Sequence, residues 1–210
     1  HGSVGMTKGS QSLFGIVQGA TNSDLRKKSA RDLVKIGFDG YAIGGLSVGE
    51  SEKDMYAMLD ATVPELPEDQ PRYLMGVGTP RNIIEAVARG IDMFDCVLPT
   101  RNARHGYLFT SEGIIHLRNE SFKEDFTALD PECDCETCTQ YHRAYLRHLL
   151  VAGEVLAIPL LVRHNLRYYL HLMEKIRQAI QDGNFEKMRD SSAHSGSALS
   201  ESASRMGRND

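Results

Sequence analysis

No stretch of this chain approaches the roughly 20 consecutive apolar residues that a membrane-spanning helix needs. No secretory leader is visible either, so the cytoplasm is the expected compartment. Positive charge is in short supply: 24 Lys and Arg stand against 28 Asp and Glu, a formal net charge of −4. That excludes a global basic field for nucleic acid, and any RNA contact must come from local patches. No internal sequence repeat is present. Cysteine is scarce, with four in 210 residues. Three of them, Cys133, Cys135 and Cys138, fall within six positions. Without a secretion signal, such crowding argues for a metal and against disulfides. What remains is ordinary: 41% hydrophobic and 25% charged residues, enough to bury a sizeable core.

Residues 1 to 11 carry no apolar pattern, and His1-Gly2-Ser3 resembles the remnant of a tag. Leu13 to Gln18 reads as a strand. Asn22 or Ser23 caps a helix carrying Leu25, Leu33, Val34 and Ile36 that stops at Gly37. Tyr41 to Ile43 is the next strand, closing on Gly44-Gly45. Ser51 with Asp54 resembles a capping box for a helix ended by Pro64. Arg72 to Met75 forms a third strand. Thr79 caps a helix with Pro80 in its first position, and Met93 to Val97 reads as a buried fourth strand. This alternation predicts a parallel α/β fold over 12–106. Candidate functional residues then fall where strands give way to loops, the face that carries the sites of β/α barrels.

Over 107–185 the pattern changes. Tyr107 to Phe109 and Ile114 to Leu117 read as a hairpin, followed by the cysteine segment and a helix from about Tyr141 to Val151. A further helix carries Leu166, Tyr169, Leu170, Met173, Ile176 and Ile180. From 186 to 210 the Ser-rich, apolar-poor tail is expected to be disordered.

The chemistry concentrates at Asp95. A carboxylate inside an apolar strand loses its hydration unless partners or a task hold it there. A salt-bridged core aspartate is the plain alternative, but Arg101 and Arg104 follow directly, as a nucleophile beside a phosphate clamp would require. Gln18 offers an amide that donates and accepts at once, suited to the edge of a purine-like base. Gly44-Gly45-Leu46 lets backbone amides approach a flat ligand. Zinc prefers four Cys or His ligands; spacing alone leaves His142, His148, His164 and His171 all open as the fourth.

Phe94-Asp95-Cys96-Val97-Leu98-Pro99-Thr100-Arg101-Asn102-Ala103-Arg104 closely resembles the core motif of tRNA-guanine transglycosylases. The likeness extends through Phe14 to Gly19, Gly37 to Leu46, Arg72 to Gly78, Asp130 to Cys138 and His164 to Tyr169. It implies the C-terminal half of a (β/α)8 barrel with an inserted zinc-binding subdomain. It also implies exchange of the wobble guanine of a tRNA for a 7-deazaguanine base, in queuosine biosynthesis. Asp95 would be the nucleophile, with a covalent ribosyl-RNA intermediate. Gln18, Gly44, Gly45 and Leu46 would line the base site, and Met75 would pack on the base. Gly76, Val77, Gly78, Thr79, Pro80, Arg81 and Asn82, with Thr100, Arg101, Asn102, Ala103 and Arg104, would contact tRNA. The fourth ligand of a structural zinc would be His164, opening a helix at Asn165.

The resemblance further implies a homodimer and, from Val48, a pocket narrowed for the small aminomethyl base, although Ser47 follows the queuine-using branch. Thr79 stands where many bacterial relatives carry lysine. In the family the N-terminal half supplies further aspartates for proton transfer and base recognition, so this chain alone is expected not to complete the exchange. An archaeal-type transglycosylase and a non-catalytic partner subunit are the rival readings.

Overall fold

A computed structural model of the chain describes residues 11–195. All of the expected leader except Gln11, and the tail from 196, lie outside the described residues. Two compact units divide between Cys96 and Val97, earlier than the boundary expected after Gly106. The shift arises because the segment after Cys96 folds as a helix belonging to the second unit.

The first unit alternates strand and helix: β1 (Phe14–Val17), α1 (Ser23–Ile36), β2 (Gly40–Ile43), α2 (Glu52–Thr62), β3 (Arg72–Leu74), α3 (Pro80–Val87) and β4 (Met93–Phe94). The strands form one parallel sheet in the order β1-β2-β3-β4. Helix starts follow the side chains expected to cap them. Asn22 Oδ1 accepts the Asp24 and Leu25 N–H groups, and Ser51 Oγ accepts that of Asp54. Thr79 Oγ1 accepts the Asn82 N–H, with Pro80 in the first turn. Each such cap contributes about 1 kcal/mol. Val17, Tyr41, Ile43 and Leu74 share one face of the sheet and bury themselves with Ala30 of α1, Met55 and Leu59 of α2, and Ala86 of α3.

Two expectations fail here. Helix α1 packs through Arg26, Ala30, Leu33 and Val34, which leaves Leu25 and Ile36 exposed. The fourth strand is neither long nor buried: it spans two residues, and Met93, Asp95 and Val97 are exposed. The chain leaves the ladder at Asp95 because the carboxylate is taken up by Tyr73 and the Gly76 backbone.

The second unit opens with α4 (Leu98–His105), a helix where the sequence suggested a loop. Pro99 lies in the first turn, where its missing N–H costs nothing, and Gly106 closes the helix in the left-handed region at φ 82°. The expected hairpin follows as β5 (Tyr107–Thr110) and β6 (Gly113–His116). Next come α5 (Glu136–Gln140), α6 (Arg143–Ala152), α7 (Ala157–Gln181) and α8 (Phe185–Ser195).

Helix α7, 25 residues long, packs on α4, α5, α6 and β5. It starts at Ala157, well before the predicted Asn165. Pro159 falls in its first turn, where a proline removes no helical hydrogen bond. Buried Asn165 knits the unit: its Nδ2 donates to the Pro99 and Tyr107 carbonyls at 3.0 and 3.1 Å, and its Oδ1 accepts the Phe109 N–H at 3.1 Å. Helix α8 corrects the expectation of disorder over 186–195. It packs against α7, and the Ser191 and Ser192 hydroxyls bond back to the Met188 and Arg189 carbonyls. Serine thereby satisfies itself inside a helix. Among the described residues no helix is long and apolar enough to cross a membrane.

Candidate active site and metal centre

The last paired row of the parallel sheet is Val17, Ile43, Leu74 and Phe94. One residue further along each strand stand Gln18, Gly44, Met75 and Asp95. The four strands therefore deliver four of the predicted site residues in register, at their C-terminal ends. Side chains alternate along a strand, so this row turns away from the face that Val17, Ile43 and Leu74 bury in the core.

Glycine is required at two of these positions. A Cβ on Gly44 would come within 2.6 Å of Gln18 Nε2, and one on Gly45 within 2.6 Å of Gln18 Oε1. The Gln18 carboxamide thus lies against the Gly44-Gly45 peptides, where both of its hydrogen-bonding edges stay near the row. Gly45 also has φ 64°, in the region that favours glycine. Leu46 contributes differently from its neighbours: the residue is only 3% exposed and packs in the core of the sheet. Met75 is half-buried at the end of β3.

Three residues near this row went unpredicted. Arg26 is fully buried and donates through Nη2 to the Gly44 and Gly45 carbonyls, both at 3.1 Å. The Glu50 carboxylate accepts the Ser47 and Val48 N–H groups. Tyr73 Oη donates to Asp95 Oδ1 at 2.6 Å, and the Gly76 N–H donates to the same oxygen at 2.9 Å. Tyr73 alone had a legible signal, since it lies two residues before Met75 and so on the same face of its strand.

Asp95 is therefore not a desolvated core carboxylate. It is exposed, and the Tyr73 hydroxyl, then the Gly76 N–H, hold its pKa below the ordinary carboxylate range. The same contact pushes the Tyr73 phenol up to about 12. A folded-state pKa depressed in this way favours the ionised form as pH rises, and the advantage is lost as pH falls through the folded value. Tyr73→Phe should move the Asp95 titration upward toward an ordinary aspartate, measured by carbonyl-carbon NMR. An unmoved midpoint would show that Tyr73 does not hold the carboxylate.

The two predicted RNA-contacting segments are only partly available. In the first, Val77 and Pro80 are buried, Gly78 packs against Cys96, and Asn82 Oδ1 accepts the Tyr56 hydroxyl. Thr79 is spent as a helix cap. Gly76 is exposed and Arg81 partly so. In the second, on α4, Asn102 and Ala103 are buried, Thr100 and Arg101 are half-buried and Arg104 is exposed. Arg101 and Arg104 have no carboxylate partner among the ion pairs of the described residues.

In the second unit Cys133, Cys135, Cys138 and His164 bring one donor atom each within 4.8 Å of one another. His164 Nδ1 lies 3.3 Å from Cys138 Sγ, while its Nε2 donates to the Phe109 carbonyl at 2.7 Å. That carbonyl fixes the ring with Nδ1 turned to the thiols, the orientation a metal-binding histidine needs. His142, one of the rivals, instead caps α6 through Nδ1. His164 sits inside α7, eight residues along the 157–181 helix, and does not open it.

A family profile described as "Queuine tRNA-ribosyltransferase" matches residues 3–197. The chain belongs to this family. Curated relatives bearing the same name include proteins of Actinobacillus pleuropneumoniae serotype 3 (strain JL03), Histophilus somni (strain 129Pt) and Haemophilus ducreyi (strain 35000HP / ATCC 700724). The first is 60% identical over 176 residues, 84% of this chain and 46% of its own length. The second is 59% identical over 174 residues, 83% of this chain and 46% of its own. The third is 56% identical over 177 residues, 84% and 46% respectively. The chain thus spans about half the length of the curated relatives it matches. Within this queuine tRNA-ribosyltransferase family member, the three thiols and His164 form a structural zinc site. Four protein ligands leave no open position for catalysis.

Proposed function

We propose that the chain carries the nucleophile, base pocket and zinc centre of a bacterial-type tRNA-guanine transglycosylase. Such an enzyme replaces the anticodon wobble guanine of a tRNA with a 7-deazaguanine base. The row Gln18, Gly44, Met75 and Asp95 carries this reading, because it joins a base-recognising amide to a poised carboxylate on one sheet edge. Wobble guanosine flips out of its stack toward the row. Oδ2 of Asp95, which neither Tyr73 nor Gly76 engages, attacks ribose C1′. The C1′–N9 bond breaks, and guanine leaves with the bonding pair and takes a proton from the acid–base partner that the family resemblance puts in the N-terminal half. The RNA is then held as an aspartyl ester. N9 of the incoming base gives its proton to that same partner and attacks C1′, the ester C–O bond breaks, and Asp95 is regenerated with overall retention, as in retaining glycosidases. The hydrogen bonds that lower the Asp95 pKa also make its carboxylate a better leaving group in this second step.

Several further assignments rest on the same reading. The unreversed strand order supports a segment of a β/α barrel, with the second unit as its zinc-bearing subdomain. Gly76, Arg81, Arg101 and Arg104 supply the tRNA contacts. Val48, exposed on the loop after Leu46, restricts the incoming base to the small aminomethyl form. The tRNA substrate assigns the reaction to the cytoplasm. Exposed Phe126 and Tyr145, grouped with Tyr141 and His142, offer an aromatic surface for a homodimer. Light scattering of a protein of the relatives' full length should give twice the chain mass at micromolar concentration; a single-chain mass would remove the dimer.

Labelled-guanine exchange into tRNA, with mass spectrometry of a stalled RNA–protein adduct at Asp95, tests the reaction. An adduct at another residue, or exchange without one, would overturn it. A full β/α barrel takes about 250 residues, and the described residues provide four strands of the parallel sheet. With general acid–base help worth about 10²–10⁴-fold, the 210-residue chain should exchange guanine slower than a full-length relative by at least that factor. Comparable turnover would show that the missing groups are dispensable.

A further inference from the structure

The loop from Gly44 to Glu50 is held from both sides by opposite charges. On one side Arg26 donates through Nε to the Ala20 carbonyl at 2.5 Å and through Nη2 to the Gly44 and Gly45 carbonyls at 3.1 Å each. On the other, the Glu50 carboxylate accepts the Ser47 and Val48 N–H groups. A trans peptide is planar, with its C=O and N–H pointing in opposite directions. Two consecutive carbonyls turned onto one guanidinium therefore turn the Gly45 and Leu46 N–H groups away from it. Neither N–H has an acceptor among the described residues, and of the two residues Gly45 is exposed and Leu46 buried, whereas the preceding Gly44 N–H is bonded to the Val17 carbonyl at 3.0 Å. Gln18, the side chain lying against these same two peptides, adds an amide at the same edge.

We propose that Arg26 is a positioning residue for the base pocket: by clamping the Gly44 and Gly45 carbonyls it presents the exposed Gly45 N–H as a donor to an acceptor-bearing base edge. This rests on the base-pocket reading above. The positive φ at Gly45, 64°, and at Ser47, 60°, is what the doubly tethered loop must adopt. Unaided, Ser47 would rarely be found there. Burial works against the charge on Arg26 and Glu50 opposes that effect, so the two ends of the loop support one another. Lysine is not an equivalent substitute. A single ammonium lacks the planar fork that reaches three carbonyls on fixed vectors.

The test uses the chain labelled with nitrogen-15 and guanine itself as the probe. In the native chain the Gly45 amide should exchange rapidly with solvent and shift on guanine addition, while the Gly44 amide stays protected. Arg26→Lys should weaken guanine binding about tenfold, displace the Gly45 and Leu46 resonances, and leave zinc content and the hairpin resonances of 107–116 unchanged. Arg26→Met should weaken binding further.

Guanine affinity within threefold of native in Arg26→Lys, or an affinity loss with both resonances unmoved, would overturn the proposal. If the native chain binds no guanine, the base-pocket reading of this chain fails. The resonance response to Arg26→Lys then still decides whether Arg26 sets the loop. If neither variant folds, native exchange decides: a Gly45 amide as protected as that of Gly44 would not be a free donor, and the proposal would fall.

Discussion

Replacing Asp95 with Asn in a protein of the relatives' full length should reduce base exchange by on the order of 10⁴-fold or more, the scale seen when a nucleophile is removed from an enzyme. The substitution is nearly isosteric, and an amide oxygen can still accept from the Tyr73 hydroxyl and the Gly76 N–H that now converge on Oδ1. Folding and guanine binding should therefore survive. The lost property is the anionic oxygen, because a neutral carboxamide does not attack C1′ and no RNA adduct should form. The Tyr73 phenol, raised to about 12 by the carboxylate, should fall back toward its ordinary value of about 10. Tyr73→Phe should be milder, since it weakens the carboxylate's support but leaves the nucleophile. Exchange by Asp95→Asn within tenfold of native, or an adduct that still forms, would assign the displacement to another group.

How far the sequence reveals this site depends on which forces place each residue. Gln18, Gly44, Met75 and Asp95 were legible because each follows a short apolar run, and parallel pairing converts equal positions on successive strands into one row. Gly44 and Gly45 were read as room for a flat ligand, and what the structure places against them is the Gln18 amide. Arg26 was not legible. On an amphipathic helix a lone arginine between Leu25 and Lys27 reads as solvent-facing, and its burial depends on carbonyls that lie 18 and 19 residues further along the chain. Glu50 hid for the opposite reason, as an acid just before a helix, where a carboxylate needs no special task.

Helix α4 was masked by Pro99, which ends a strand as readily as it begins a helix. That misreading mattered for function. A loop would have offered all of 100–104 to RNA, whereas a helix buries Asn102 and Ala103 and presents Arg101 and Arg104 one turn apart. The buried-strand reading of Asp95 failed through a related cause. Hydropathy alone does not show where a chain leaves the sheet, and here the departure is fixed by hydrogen bonds to the carboxylate itself.

Removing the metal with a strong chelator should collapse α5, α6 and much of α7, and one zinc per chain should be found before treatment. Zinc binding to sites of this kind is worth an apparent 10–16 kcal/mol or so at neutral pH. Whole domains are stable by only about 5–15 kcal/mol. Cys135 and Cys138 are buried in the second core beside Leu146, Leu149 and Leu161, and His164 is fully buried with them. Without a metal this core would hold three crowded thiols. The Cys138 contact drives the Cys135 thiol down, and the same contact with burial drives Cys138 up. Zinc removes that conflict by taking thiolates directly.

Acid should release the metal, because protons compete for the same ligands. Cys138→Ser should weaken retention while sparing the fold when zinc is in excess. His164→Ala should also lose the bond to the Phe109 carbonyl and destabilise β5. Circular dichroism melts with and without chelator, together with hydrogen exchange at the Phe109 amide, would measure this. An apo protein that melts at the holo temperature, with that amide still protected, would mean that packing around Leu161 and Asn165 holds the unit without the ion.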